Sequence, residues 1–368
     1  MSAETATDRR ELHRLAKGAE GLVGQSSLER ATPKRASSRR EIAVFGEAIW
    51  DLFPARAGEP IGTRRTDVRH GGGAPANVAR TLARLGLDVA LVTAVGDDAL
   101  GQGMLAELAD AGVSTAYVQR LAARTAVTFV DVDRDGGRSF LFYRHPSADM
   151  TLAPSMLDRR AFAARWLHVG SSTLARSPAR ETTLRALALA RAHGARLSVD
   201  LNARPHLWPS RRALVRETAA LVERADLLKV SEEDLAALGL APTVEGARRL
   251  HRRRGVAVTL FTLGARGAVG LWGDLVIEVP APKVRAVDVT GAGDAFTAGA
   301  LATFARGDRR DLDDAGRRAL LGRTLTLGCA LGARAVTRLG ATDALRKLDR
   351  FARRLDPALA PRARRTHR

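Results

Sequence analysis

"VDVTGAGDAF", residues 287–296, is the stretch on which the reading of this chain turns. Gly291, Ala292 and Gly293 lie between Thr290 and Asp294. The glycines let the backbone turn sharply and present N–H groups without a Cβ in the way. "DAFTAGALATFA" behind them reads as a helix, so those N–H groups lie at a helix N-terminus, where the dipole favours an anion. The spacing G-x-x-x-x-G-K-[ST] is absent and no Lys follows. An anion here is therefore held by backbone. Asp294 stands at the edge of that hole. A carboxylate cannot ligate a phosphate, because like charges repel. It is either a base for a hydroxyl attacking that phosphate or a first-turn helix acid.

Working outward, "EIAVFGEAIWDLF" (41–53) reads as a buried first strand and a functional turn, with Asp51 ending the strand. "APANVARTLARLG" (74–86) has Val78, Leu82 and Leu85 at helical spacing, with Gly86 as the stop. "VALVTAVG" (89–96) is a second buried strand. "RTAVTFVDVDRDGGRSFLFYR" (124–144) alternates as two strands around "DRDGG". This hairpin and the polar stretch 54–70 belong outside the main sheet. The second half alternates "RWLHVG", "RLSVDLN", "DLLKVS" and "VAVTLFTLG" with helices at 179–193, 210–224, 232–238 and 244–254. The hairpin "GAVGLWG"/"LVIEVP" and a helix at 315–332 follow. That alternation predicts an α/β fold: a doubly wound, mostly parallel sheet flanked by helices, with a small β-sheet lid.

The chain has 368 residues, 45% of them hydrophobic, and a formal net charge of +19. No apolar run is long enough to span a membrane. Residues 1–40 hold nine Lys/Arg against five Asp/Glu, and residues 346–368 nine against two, so more than half of the net charge lies at the two ends. Such a field attracts nucleic acid or acidic metabolites, and equally suits a solvated Arg-rich surface. Two Tyr and four Trp are few for single-strand stacking platforms. Residues 1–40 lack the apolar core of a secretory signal and read as a disordered basic extension. One cysteine, Cys329, excludes an internal disulfide and fits a reducing, cytoplasmic setting. It lies in an apolar helical stretch and reads as a buried small hydrophobe. His145, His168, His193 and His206 show no metal-ligand spacing.

"DVTGAGDAF" resembles the C-terminal motif of the ribokinase-like (PfkB) sugar kinases. "GEAIWD" and "GGGAPANVARTLARLG" resemble their N-terminal motifs, and "TLGARGA" and "AVTRLGA" their nucleotide-end motifs. The resemblance runs in order from about residue 41 to 345. It implies a kinase domain over 41–345, with lid segments at about 52–70 and 124–146, and a basic tail at 346–368. "FYRHPSADMTL" (142–152) and "VDLNARPHLWPS" (199–210) are most similar to fructokinases. The resemblance implies that Asp51, Gly72, Gly73, Asn77, Phe142 and Arg144 bind the sugar, with Gly71 in the same loop and His70 a lid contact. Asp149 would cap the structure after the lid. Asn202, Arg204, Thr262, Gly264 and Gly267 would serve ATP. Asp234, in "KVSEEDL", would organise Mg²⁺ through water. Asp288, Thr290, Ala335, Arg338 and Gly340 would form a K⁺ loop through backbone carbonyls. Gly291, Ala292, Gly293 and Asp294 would be catalytic.

The expected activity is ATP-dependent phosphorylation of fructose at its 6-hydroxyl, with Mg²⁺ and K⁺. The alternatives within the fold are 2-keto-3-deoxygluconate kinase, for which Tyr143 and Arg144 would hold the carboxylate, and a nucleoside kinase. A different class would be an idle sugar sensor or a nucleic-acid-associated protein. By resemblance, the partners are a small sugar and a second copy of the chain, paired through the lid.

Overall fold

β1 (Arg40–Phe45) is an interior strand of the large sheet. Ile42 and Val44 enter one core while Ala43 and Phe45 enter the other, and all four are buried. A strand covered on both faces leaves no position facing water, which is why "IAVF" is an unbroken apolar run. The computed structural model describes residues 39–56, 58–132, 138–307, 312–348, 351 and 354–356. Most of the two expected basic ends, and the "DRDGG" turn, lie outside them.

In chain order the strands are β1, β2 (Ile49–Pro54), β3 (Asp67–Gly72), β4 (Val89–Gly96), β5 (Val118–Leu121), β6 (Val127–Val132), β7 (Arg138–Tyr143), β8 (Ala164–Gly170), β9 (Arg196–Asp200), β10 (Leu227–Ser231), β11 (Val258–Thr262), β12 (Ala268–Trp272) and β13 (Leu275–Val279). The helices are α1 (Ala74–Arg84), α2 (Ala99–Asp110), α3 (Ala148–Thr151), α4 (Ala179–Ala192), α5 (Arg211–Val222), α6 (Glu232–Leu238), α7 (Val244–Arg254), α8 (Ala292–Arg306) and α9 (Asp314–Ala335).

The large sheet has the order β13-β12-β11-β10-β9-β8-β1-β4-β5. Its pairs are parallel from β5 through β11, and β12 and β13 close one edge antiparallel. α1, α2, α8 and α9 cover one face, and α4 to α7 the other. From β1 the chain steps one way to β4 and the other way to β8. That switch point opens a crevice at the carboxyl ends of the strands, where ligands bind in such sheets. A shallow hollow lies there, lined by Glu47, Gly170, Ser171, Asp200 and Asn202 among others.

The second sheet, β3-β2-β6-β7, is the expected lid. Its boundary differs from the expectation. β2 begins at Ile49, and Asp51 lies within it, paired with His70 of β3. The run 41–53 is thus two strands in two sheets. Gly46, with φ +148°, breaks it. Among the described residues no helix is long and apolar enough to cross a membrane.

Candidate active site

α8 is buried along nearly its whole length, from Ala295 to Arg306. Small residues let it press against α9: a Cβ on Gly299 would lie 2.9 Å from Leu331, and one on Gly328 would lie 2.8 Å from Phe296. The helix therefore cannot shift, and its first turn is fixed in the crevice. Gly291 precedes it at φ +76°, where a Cβ would lie 2.6 Å from the Ala341 carbonyl. Only glycine fits both the conformation and the space.

Asp294 accepts a 2.7 Å hydrogen bond from Asn77 Nδ2 of α1. Its side chain still meets solvent, yet the atoms packed round it desolvate the carboxyl. Burial pushes its pKa up to about 6, while the Asn77 hydrogen bond, Lys229 and Arg204 draw it down and Asp200 pushes it up. Lys229 lies beneath the first turn of α8: a Cβ on Gly293 would sit 3.2 Å from its Nζ. It pairs with Asp200 at 3.1 Å, and Thr297 Oγ1 donates to the other Asp200 oxygen at 2.9 Å. Lys229 and Asp200 were missed in the sequence. A lone Lys within "LLKVS", an otherwise apolar buried strand, was the available signal, since a buried charge needs a partner.

Asp51 is 8% exposed. Burial raises its pKa to about 7, Arg80 draws it down, and Asp294 pushes it up. The resemblance implies that Gly72 and Gly73 bind the sugar, and the structure gives the glycine run a packing reason of its own. Cβ atoms on Gly71 would overlap Arg80 and Glu107, and on Gly72 the Asp51 carboxylate. Gly73, at φ +90°, packs against the Glu47 carbonyl. The glycines make room for the protein's own polar groups. Arg80 and Glu107 are further residues that sequence reading missed. Helical spacing places Arg80 one turn after Asn77, and that was the only sign.

Arg144 does not project freely toward the sugar as expected. It is 6% exposed; its Nε donates to Asp149 at 2.7 Å, and its Nη2 reaches Glu47 at 3.4 Å. Asp149 also accepts from Ser147 Oγ, and Glu47 from Ser172 Oγ. Phe142 stacks on His206 with ring centroids 5.2 Å apart, tying lid strand β7 to the loop after β9. His70 is a lid contact, as expected. It meets Asp343 at 2.7 Å and packs edge-on against Phe53.

At the nucleotide end, Asn202 takes φ +39°, a conformation Asn tolerates, and lines the crevice. Arg204 is exposed beside it. Thr262 ends β11, and Gly264 has open space where a Cβ would be. Gly267 does not: a Cβ there would overlap the backbone of 279–281, so this glycine serves packing. Asp234 also departs from expectation. It is 2% exposed, and its two oxygens accept from the N–H groups of Ser231 (2.8 Å) and Ala203 (2.6 Å). With Ser231 it forms a reciprocal capping box on α6, so its observed work is helix capping rather than facing a metal.

The segments expected to form a cation loop do come together. Asp288 accepts from Thr290 N–H (2.7 Å) and Gly340 N–H (2.8 Å), and the N–H groups of Val287 and Asp288 both donate to the Val336 carbonyl. Ala335 ends α9, and Arg338 lies exposed in the loop that follows. Cys329 is buried, and burial pushes its thiol up to about 11. His168 is buried against Ser198 and is pushed down to about 4, a neutral core histidine.

The model of the pfkB family carbohydrate kinases matches residues 39–348. Fructokinase-1 of Oryza sativa subsp. japonica is 39% identical over 84% of this chain and 96% of its own length. The fructokinase of Klebsiella pneumoniae is also 39% identical, over 86% and 99%. Among solved structures, a fructokinase double mutant from Vibrio cholerae O395 bound to fructose, ADP and potassium ion matches with a TM-score of 0.73. It is 32% identical over 84% of this chain and 96% of that one.

Proposed function

Since the chain belongs to the pfkB family of carbohydrate kinases, we propose that it transfers the γ-phosphoryl group of ATP to the 6-hydroxyl of fructose, with Asp294 as the general base. One observation carries the mechanism. Asn77 holds the Asp294 carboxylate at the edge of a glycine-built helix N-terminus, with Asp51 of the lid close enough to raise its own pKa through Asp294.

With a pKa near 6, Asp294 is mostly ionised at neutral pH and can take a proton. It removes the proton from the sugar hydroxyl as that oxygen attacks the γ-phosphorus. The bond from phosphorus to the β–γ bridging oxygen breaks, and ADP departs with that electron pair. The Gly293 N–H faces the charge that develops on the phosphoryl oxygens, the Ala292 N–H joins it only on leaving the Val289 carbonyl to which it donates at 3.3 Å, and Lys229 beneath them adds a buried cation. Asp51 and Asn77 receive the sugar hydroxyls. Phe142 supplies an apolar wall, and the lid excludes water.

Arg204 and the open backbone at Gly264 suit ATP phosphates and ribose. Mg²⁺, bound with the nucleotide, would neutralise β- and γ-phosphate charge. The pairing of 288–290 with 335–340 suits a monovalent cation held by carbonyls, as potassium accompanies the Vibrio enzyme. A neutral sugar is favoured over 2-keto-3-deoxygluconate. Arg144 already serves two carboxylates, and Tyr143 is 64% exposed on the lid.

The test is ADP release with Mg²⁺, with and without K⁺, against fructose, ketodeoxygluconate and nucleosides, with the product's phosphate position read by ³¹P–¹H NMR. Fructose 6-phosphate as the main product is expected. Preferred turnover of an acidic sugar would overturn the substrate reading and leave the base intact.

A further inference from the structure

Arg80 is 0% exposed, yet it is a charged residue on a helix that packs into the core. We propose that Arg80 is a positioning residue for phosphoryl transfer: its guanidinium fixes the Asn77 amide so that the amide donates to Asp294, and it anchors the carbonyl of Gly72 at the end of β3. This inference rests on the reading of Asp294 as the base, and extends it.

Arg80 Nη2 donates to Asn77 Oδ1 at 2.7 Å and to the Gly72 carbonyl at 3.3 Å, while Nη1 pairs with Glu107 of α2. An Asn amide has two orientations of nearly equal shape, and the neighbours decide between them. A guanidinium carries donors only. The Asn77 atom that faces it must therefore be the oxygen, which leaves Nδ2 facing Asp294. Without Arg80 the amide can turn its oxygen to the carboxylate, which repels it.

Burying a guanidinium is unfavourable unless it is paired and hydrogen-bonded. An apolar side chain would fill the same space on α1 without that penalty. The surroundings are nonetheless built for the charge. Glu107 reaches in from α2, and Gly71 lacks the Cβ that would overlap both partners. The chain Glu107–Arg80–Asn77–Asp294 thus links α2, α1 and α8, with a branch to Gly72 at the end of β3.

The other charged groups that face Asp294 are Asp200 of β9, Lys229 of β10, Arg204 of the loop after β9, and Asp51 of β2. They act on the base through space. Asn77 acts through an aligned hydrogen bond, and Arg80 controls that alignment. Arg80 also bears on Asp51, whose pKa its charge draws down.

The experiment is a double-mutant cycle on kcat, measured from pH 5 to 9 at saturating ATP and whichever sugar the enzyme turns over. The variants are Arg80→Met, Asn77→Ala and the pair together, with Asp294→Asn as control and thermal unfolding to check the fold. Arg80→Met alone is expected to lower kcat ~10-fold or more and to move the acid limb to higher pH. In the Asn77→Ala background its effect should shrink to about 2-fold, because the residue it acts through is gone. Independent, multiplying losses with an unmoved acid limb would overturn the proposal. If Arg80→Met does not fold, Arg80→Lys and Glu107→Gln run the same cycle; Lys keeps the charge and loses the fork. Normal turnover in Asp294→Asn would sink the base reading separately, while the cycle still decides whether Arg80 acts through Asn77.

Discussion

Asp294→Asn removes the proposed base and, by the same physics, should stabilise the fold. Asn is nearly isosteric, and its amide can turn its oxygen to Asn77 Nδ2, so the 2.7 Å hydrogen bond survives. The atom then facing the crevice is a donor where a proton acceptor is needed. Turnover should fall at least ~10²-fold, the scale of losing a general base. The stability effect follows from the pKa, raised from 3.8 to about 6 mainly by burial. An acid whose folded pKa lies above its unfolded one destabilises the fold once pH exceeds both values. The penalty grows between pH 4 and 6 and is absent below. About two pKa units correspond to roughly 3 kcal/mol, which solvent contact at the carboxyl reduces to ~1–2 kcal/mol. In a domain of this size that is a rise in Tm of roughly 1.5–3 °C. Coupled ADP-release assays and differential scanning calorimetry at pH 8 and pH 4 measure both effects. The expected pattern is an inactive variant that melts higher than wild type at pH 8, with the gap closed at pH 4. Near-normal turnover would refute the catalytic role. A variant less stable than wild type at pH 8, or a gap that does not depend on pH, would refute the account of a charge held at a cost in stability.

The remaining expectations concern the same site. The kcat/KM–pH profile of the wild type should show an acid limb with an apparent pKa near 6, since the base must be unprotonated in the free enzyme; a limb near 4 would mean Asp294 is not desolvated. Gly72→Ala drives a Cβ into the Asp51 carboxylate, so KM for the sugar should rise ~10-fold or more while KM for ATP stays within about 2-fold; equal changes in both would contradict the placement of Asp51. Asp234→Ala removes a capping box and should lower stability by ~1–2 kcal/mol in urea melts, with little change in the Mg²⁺ dependence of turnover; a large rise in the Mg²⁺ requirement would restore the metal role. Val68, Phe140, Leu141 and Tyr143 leave apolar surface exposed on lid strands β3 and β7, so a dimer through the lid is expected. Leu141→Glu should yield monomers by sedimentation; a wild type already monomeric at high concentration would exclude this contact.

Period and punctuation made much of the fold legible. The unbroken runs "IAVF" and "VALVTAVG" announce strands covered on both faces, and the helices between them announce a parallel sheet. The glycine-built start of α8 was legible because Gly291 must take φ +76° and a helix must follow. Those are local properties, carried by neighbours in the chain. What local pattern does not carry is which distant side chain completes a buried charge. Asp51 reads as the end of a first strand, but sheet pairing moved it onto the lid opposite His70. Arg144 reads as a free cation beside a sugar, but Glu47, 97 residues away, and Asp149 hold it. Asp234 reads as a metal-side acid until Ala203 is found donating to it. Arg80 and Lys229 read as unremarkable until the tertiary structure buries them. A buried charge must be matched, its partner comes from whichever element packs nearby, and only the assembled fold decides which element that is.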